Sequence, residues 1–239
     1  MRAKAARLRT RLRNSACLRQ FMRVSTGIPG LDHILRGGLL AGRVYLVHGD
    51  PGTGKTTLGL HFLSAAEKES RLLITFGQSA GQIRADASSL GLNIDNVGIL
   101  DLTLPPETFA EMHSYDIFAP AEVECEATSL QISKTIEETN PQRIFVDSFG
   151  HFRNLATDAF QHRRLVQSFF RFAAHRGATL LIASHERDCA PDTDGVIHLE
   201  FSGGGRTISV TKFRGSGFHE GRHPMRLTGA GLQVPLSAA

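Results

Sequence analysis

The chain has 239 residues, of which 41% are hydrophobic and 21% are charged. These proportions are ordinary for a globular protein with a buried core, so they exclude intrinsic disorder for most of the chain. The sequence contains no unbroken apolar run of about 18 residues, which excludes a membrane-spanning helix. At about 150 residues per domain, the length indicates one large domain or two small ones.

Charge is distributed unevenly along the chain. The formal net charge is +4, but residues 1–23 hold eight Arg and Lys residues and no acidic residue. The rest of the chain keeps 19 of the 27 basic side chains against all 23 acidic ones, a net charge of −4. Bulk charge therefore gives no support to nucleic-acid binding, which we do not expect.

The basic arm formed by residues 1–23 has three interpretations. We favour a solvated, disordered tail. The alternatives are an element that binds an anionic polymer or a membrane, and translated sequence upstream of a start at Met22. A thin apolar stripe argues against stable membrane binding by this arm.

The cysteines bear on the compartment. Cys17, Cys125 and Cys189 are widely spaced and form no CxxC pair, which is typical of a reducing environment rather than a disulfide framework. The N-terminus lacks the apolar stretch of a secretory signal, although an organellar transit peptide has a similar Arg-rich composition. We expect a cytoplasmic protein.

The pattern from residue 44 to residue 184 alternates strands with helices. Five short apolar runs are typical of buried strands: Val44–His48, Arg71–Phe76, Val97–Leu102, Arg143–Asp147 and Ala178–Ser184. Four segments with helical spacing accompany them: Thr56–Glu69, Ala80–Leu90, Pro120–Thr139 and Thr157–Arg176. Apolar strands that alternate with helices predict an α/β domain with a mostly parallel sheet covered on both faces.

The C-terminal part of the chain has a β pattern. Val196–Phe201 and Arg206–Phe213 alternate apolar and polar residues on either side of three consecutive glycines. Because glycine adopts the positive φ angles of a tight turn, we predict a β-hairpin that extends the sheet. The residues beyond it are predicted to form a loop.

A phosphate-binding loop is the strongest motif in the sequence. It consists of Gly49, Asp50, Pro51, Gly52, Thr53, Gly54, Lys55 and Thr56, a full match to G-x-x-x-x-G-K-[ST], followed by Thr57. Glycines allow backbone N–H groups to surround phosphate oxygens, and the helix that begins near Lys55 adds its positive dipole end. We assign residues 49–57 to ATP, Lys55 to its terminal phosphates and Thr56 to Mg²⁺.

A carboxylate at the end of another buried strand is needed to complete the Mg²⁺ site. Asp101 and Asp147 both end predicted strands. We favour Asp147, because its strand has consecutive bulky apolar residues and follows a long helical segment. Asp101 is better explained as the cap of a loop.

These residues resemble the KaiC-like branch of the RecA-type P-loop ATPases. The resemblance rests on four stretches in the right order: residues 25–43, the loop at 49–56, Asp147-Ser148, and Ser184-His185-Glu186-Arg187 with Lys212–Ser216 and His223-Pro224. It implies one RecA-like domain over residues 24–239, ATP as ligand, and a homo-oligomer, for example a hexameric ring, with nucleotide held between subunits. Lys212 and Arg214 would then reach the γ-phosphate of a neighbouring subunit. Sequence alone favours the alternative that these cations lie on a solvated edge strand, and only the resemblance turns the balance toward the γ-phosphate role.

The sequence departs from this family at the end of the second strand. KaiC-like ATPases usually carry a Glu-Glu pair after an apolar-Thr-Phe run, and the first Glu orients the attacking water. Here Ile74-Thr75-Phe76 is followed by Gly77 and Gln78. Gln78 can hold a water but cannot take its proton, so we expect an ATPase that is weak at most. Glu186 could substitute, although we expect a loop residue there.

The best interpretation is therefore an ATP-binding regulatory or signalling module that acts through self-assembly and an unidentified protein partner. The alternatives are an ATP-driven motor or recombination accessory acting on DNA, and a scaffold that holds nucleotide permanently. The loop at residues 103–119 carries Glu107, Glu111 and Asp116, which disfavours DNA. His185 could sense the γ-phosphate. His219-Glu220-Gly221-Arg222-His223 matches a zinc-protease motif in letters, but Gly221 and Pro224 oppose the helix that it needs.

Overall fold

The computed structural model describes residues 22–103, 121–156, 158–185 and 189–236. The strands in this part of the chain are β1 (Arg23–Val24), β2 (Leu39–Leu40), β3 (Val44–Gly49), β4 (Arg71–Thr75), β5 (Gly98–Asp101), β6 (Arg143–Asp147), β7 (Thr179–Ser184), β8 (Gly195–Ser202), β9 (Gly205–Phe213), β10 (Arg222–Thr228) and β11 (Gly231–Gln233). The helices are α1 (Pro29–Ile34), α2 (Lys55–Ser64), α3 (Ala80–Ser89), α4 (Ala121–Thr139) and α5 (Ala159–His175), with short 3₁₀ helices at Phe149–Arg153 and Ala190–Asp192.

Nine of these strands form one sheet in the order β11-β10-β9-β8-β3-β7-β6-β4-β5, and β1 pairs with β2 beside it. Six neighbouring strands run parallel to one another: β8, β3, β7, β6, β4 and β5. Strands β9, β10 and β11 each pair antiparallel with their neighbours. All six residues of β7 are buried, as expected for a central strand covered on both faces. The predicted α/β class with a mostly parallel sheet is confirmed.

Two apolar cores cover the two faces of the sheet. One contains apolar side chains of α1, α2 and α3, and the other contains those of α4 and α5. Helix α5 contributes Val166, Phe169, Phe170 and Ala173, a spacing of three and four residues that places one stripe against the sheet. None of the described helices is both long enough and apolar enough to cross a membrane.

Helix α2 ends five residues earlier than the sequence predicts. It stops at Ser64 instead of Glu69, so the predicted C-terminal end is wrong. Two buried guanidinium groups explain the stop: Arg143 donates to the Phe62 carbonyl at 2.8 Å, and Arg71 donates to the Leu63 carbonyl at 2.9 Å. Side chains from distant strands thus satisfy the last carbonyls of the helix.

The C-terminal part contains more sheet than predicted. The hairpin of β8 and β9 is confirmed, and Gly203 and Gly204 adopt positive φ angles of 56° and 81° at its turn. The loop predicted beyond it is wrong, because β10 and β11 extend the sheet and bury Met225 and Leu232.

The first residue of β1 is Arg23, which the sequence analysis assigns to the basic arm. Its guanidinium donates to the carbonyls of Leu35 and Gly38 at 3.0 and 2.8 Å and lies 5.8 Å from the centre of the Phe213 ring. Arg23 therefore belongs to the domain. Residues 1–21 of the arm lie outside the described residues, as does most of the acidic loop at 103–119.

Close packing between α2 and β6 generates a stability prediction. A Cβ atom at Gly59 of α2 would collide with the buried ring of Phe145, whereas a Cβ atom at Gly81 of α3 would meet nothing within 4 Å. Replacing a helical glycine with alanine stabilises a helix by about 0.5–1 kcal/mol, but overpacking a core costs roughly 1–3 kcal/mol. Chemical denaturation should show that Gly59→Ala lowers the free energy of unfolding while Gly81→Ala preserves or raises it. Equal stabilisation by both would contradict the packing described.

Candidate nucleotide-binding site

The phosphate-binding loop connects the carboxyl end of β3 to the first turn of α2. A side chain at Gly49 would collide with the Leu199 carbonyl and the Thr53 hydroxyl, so the loop can pass close to β8 only with glycine there. Gly52 and Gly54 have positive φ angles of 79° and 106°. The buried Thr53 hydroxyl donates to the Asp50 carbonyl at 2.8 Å and closes the turn. The loop is therefore fixed by internal contacts.

The amino terminus of α2 has the properties of an anion site. Its N-cap residue is Gly54, no side chain caps it, and its first turn contains no acidic residue. The first N–H groups of a helix have no partner within the helix and carry its positive dipole end. Phosphate oxygens fit such a position. Thr57 lies in the same turn.

Lys55 extends back across the loop. Its ammonium group donates to the carbonyls of Gly49 and Asp50 at 2.7 and 2.9 Å. Burial lowers the pKa of Lys55, and the carboxylates of Asp147 and Asp50 oppose that shift. A phosphate group nearby would stabilise the charged ammonium, which is the interaction predicted for this residue.

Thr56 and Asp147 are brought together from different elements. The Thr56 hydroxyl, in the first turn of α2, donates to Asp147 Oδ2 at the end of β6 at 2.6 Å. Burial raises the pKa of Asp147, while the Thr56 hydrogen bond and the Lys55 charge act in the opposite direction. A hydroxyl beside a buried carboxylate provides the hard oxygen ligands that Mg²⁺ prefers. These two residues would hold the ion, which supplies a positive charge to the terminal phosphates.

Gly77 and Gln78 lie next to this pair. Thr75 is in register with Asp147, and the Phe76 N–H donates to the Asp147 carbonyl at 3.0 Å. Gly77 therefore follows the end of β4, beside the end of β6 where Asp147 lies. The Gln78 carboxamide donates to Asp86 of α3 at 3.3 Å, so it is directed toward that helix. Its role with water stays a prediction.

Lys212 and Arg214 lie together at the opposite edge of the sheet. Lys212 Nζ donates to the Ala190 and Pro191 carbonyls at 2.9 and 3.1 Å, and Arg214 approaches Pro191 at 3.4 Å. Lys212 pairs with Val196, beside the first residues of β3. Through Val196, Lys212 is level with Leu46, three residues before Gly49, and Arg214 is bonded to Asp194 beside Val44, five residues before Gly49. At roughly 3.3 Å per residue, their backbones lie about 10 and 16 Å from the phosphate-binding loop along β3. Their side-chain hydrogen bonds are made to Ala190 and Pro191, away from the loop.

Comparison with known proteins identifies the family. The description "ATPase: KaiC" matches residues 24–238, which is most of the chain. The chain belongs to the KaiC family of ATPases. The circadian clock protein KaiC2 of Synechocystis is 29% identical over 228 residues, covering 87% of this chain but 39% of that protein.

Two further relatives differ from KaiC2 in length. The UPF0273 protein of Methanopyrus kandleri is 28% identical over 236 residues, covering 89% of this chain and 91% of that protein. The circadian clock oscillator protein KaiC of Parasynechococcus marenigrum is 28% identical, with 46% of its length covered. The chain thus spans less than half of these clock proteins and nearly the full length of the UPF0273 protein.

Sequence analysis missed three side chains at this KaiC-type site. Arg206, in the hairpin of β8 and β9, donates to the Gly52 carbonyl at 3.3 Å, and its guanidinium lies 5.0 Å from the Phe201 ring centre. His151 lies near Gly77, where a Cβ atom would be 4.0 Å from its Cε1. The pairing of β8 with β3 brings the β8–β9 hairpin and Arg206 to the loop, and the pairing of β6 with β4 brings His151 to Gly77, so no local motif could reveal them.

Other sequence candidates have different outcomes. Asp101 accepts from the Ala80 N–H at 2.8 Å and the Thr103 hydroxyl at 2.6 Å, so its capping role is confirmed. The segment at residues 219–223 is not helical, and the described residues form no cluster of His, Cys, Asp and Glu suited to a metal. His185 lies beside Gly150, near the end of β6. Glu186 lies outside the described residues.

The Thr56–Asp147 pair generates a binding prediction. Asp147→Asn keeps the size of the side chain but removes its charge, so Mg²⁺ should no longer strengthen ATP binding. Interactions of charged groups are worth about 1.5–3 kcal/mol, which corresponds to roughly a ten- to hundredfold loss of affinity. The measurement is calorimetric titration of ATP with and without Mg²⁺. Asp101→Asn, at the end of β5, is the control; retained Mg²⁺ dependence in Asp147→Asn would contradict the assignment.

Proposed function

We propose that this KaiC-family protein is a regulatory module that binds ATP with Mg²⁺ and hydrolyses it slowly or not at all. The observation that carries the proposal is the glycine at residue 77, adjacent to Asp147. The loop, Lys55, Thr56 and Asp147 provide binding for phosphates and metal. No carboxylate extends from residues 77 and 78 to orient water.

The expected rate of ATP hydrolysis follows from the absence of a carboxylate at residues 77 and 78. Phosphoryl transfer depends mainly on positioning and charge stabilisation, so the phosphate and metal contacts can support some hydrolysis. A positioned base contributes about 10²- to 10⁴-fold to a rate, and turnover should be lower by that order than with a carboxylate at residue 77. Bound ATP would then persist long enough to control assembly or a protein partner.

The positions of Lys212 and Arg214 support self-assembly. Two cations at the edge opposite their own loop would face the loop of a second subunit if subunits pack head to tail. Such heterologous contacts close into rings when the rotation permits. Burial and the neighbouring Arg214 lower the pKa of Lys212, an effect that the phosphates of a neighbour would reverse. We therefore propose a homo-oligomeric ring with ATP between subunits.

A second candidate function, action on DNA, is favoured by one surface. Helix α5 exposes Arg163, Arg164 and Arg171 and contains no acidic residue. Lys and Arg side chains on one helix can neutralise nucleic-acid phosphates. DNA-stimulated hydrolysis would favour this candidate over the regulatory module.

The experiment that tests the proposal is steady-state ATP turnover of the purified protein, measured beside ATP affinity. Lys55→Ala is the control for contaminating ATPases, because it removes the ammonium predicted to contact the terminal phosphates. We expect ATP binding by the parent protein with a slow turnover that exceeds that of Lys55→Ala only by the residual hydrolysis that the phosphate and metal contacts support. Fast turnover, well above this control, would contradict slow hydrolysis, and absence of ATP binding would contradict the nucleotide site.

A further inference from the structure

We propose that His151 holds and orients the water that attacks the γ-phosphate. The water would occupy the space that a carboxylate side chain at residue 77 would otherwise fill. This inference rests on the proposed ATP-binding function and assigns the residual hydrolysis to one side chain. His151 belongs to the 3₁₀ helix at Phe149–Arg153, which directly follows β6 and Asp147. The histidine is thus carried by the same segment that presents the metal carboxylate.

Aromatic contacts fix the imidazole at this edge. The rings of His151 and Phe76 are stacked, with centres 5.6 Å apart and planes 6° from parallel. Phe76 is held in turn by the buried ring of Phe152, which it meets edge to face at 5.6 Å. Phe76 immediately precedes Gly77, so the stack positions His151 against the end of β4. Parallel and edge-to-face arrangements at these separations are favourable aromatic contacts.

The space beside Gly77 is open to water and adjoins the imidazole. The nearest heavy atom to a Cβ at residue 77 is His151 Cε1 at 4.0 Å, and both residues are exposed. A side chain at residue 77 would therefore extend into the space next to the His151 imidazole. His151 lies close enough to Asp147 that a protonated imidazole would lower the pKa of this buried carboxyl. The imidazole is thus within electrostatic range of the metal ligand.

The hydrogen bond of the imidazole determines which nitrogen can hold a water. His151 Nδ1 lies 3.2 Å from the Ser148 carbonyl oxygen. A carbonyl can only accept, so Nδ1 carries the hydrogen in the neutral ring and Nε2 presents a lone pair. Water can donate to that lone pair. The nearby Gln78 carboxamide donates to Asp86 instead.

The step assigned to this water is ordinary hydrolysis. The water oxygen forms a bond to the γ-phosphorus while the bond from that phosphorus to the bridging oxygen breaks. The electron pair of the broken bond leaves with ADP, and the protons of the water leave with inorganic phosphate. His151 contributes by holding the water in line, which matters more than proton removal for a loose transition state.

The test compares His151→Phe, which keeps an aromatic ring to stack on Phe76, with His151→Gln, which keeps a hydrogen-bonding group. His175→Phe, at the far end of α5, is the matched control. Two quantities are measured: the single-turnover rate of ATP hydrolysis, and the affinity for ADP with aluminium fluoride, which mimics the transition state with its attacking water. Affinity for a non-hydrolysable ATP analogue and the thermal unfolding midpoint report on binding and folding.

We expect His151→Phe to lower both the rate and the aluminium fluoride affinity by roughly tenfold to a hundredfold. Its ATP-analogue affinity and unfolding midpoint should stay at the parent values. His151→Gln should retain most of the rate, because an amide can orient water, and His175→Phe should match the parent protein.

Three results would overturn the assignment. The first is an unchanged rate and aluminium fluoride affinity in His151→Phe, and the second is a larger loss in Gln78→Ala than in His151→Phe. The third is a parent rate equal to that of Lys55→Ala, which removes His151 from hydrolysis but leaves an ATP-binding module intact. Failure of the parent protein to bind ATP would instead contradict the proposed function itself.

Discussion

The hydrogen bond between Thr56 and Asp147 is the contact around which the site is organised. Thr56 lies in the first turn of α2, which follows β3, and Asp147 ends β6; β7 lies between these two strands in the sheet. Adjacent strands lie about 4.8 Å apart, so the carboxyl ends of β3 and β6 are roughly 10 Å apart. The first turn of α2 spans this distance, and the 2.6 Å contact fixes the phosphate-binding loop relative to the metal carboxylate. Because the carboxyl ends of parallel strands lie on the same side of a sheet, Gly77 after β4 and His151 after β6 both lie near Asp147.

The sheet separates the residues proposed to bind phosphates and Mg²⁺ from Lys212 and Arg214, the cations proposed to act on the nucleotide of a neighbouring subunit. The residues proposed to contact phosphates and metal lie at the carboxyl ends of the parallel strands, and Lys212 and Arg214 lie near their amino ends. Within one subunit the two sets of residues lie at opposite ends of the strands. The proposed ring and the proposed slow hydrolysis are therefore related: a subunit alone lacks both the carboxylate at residue 77 and the cations of a neighbour.

Local sequence patterns predicted the elements whose formation depends on residues that are close together in the sequence. The apolar runs located the strands, and the glycine spacing located the loop with Lys55 and Thr56. Sequence could not place the end of α2, because Arg71 and Arg143 terminate it from other elements. It also missed β10, which contains Pro224. Proline is tolerated at this point because β11 pairs only with residues 226–228 of β10. His151 and Arg206 escaped notice because their roles depend on strand pairing.

In the proposed function, the glycine at residue 77 limits hydrolysis in a site that otherwise binds ATP with Mg²⁺. The most direct test is the turnover number of Gly77→Glu, since residue 77 lacks a positive φ and a Cβ there meets no atom closer than 4.0 Å. We predict a rise of about 10²- to 10⁴-fold with ATP affinity unchanged. An unchanged turnover number in a variant that still binds ATP would contradict it.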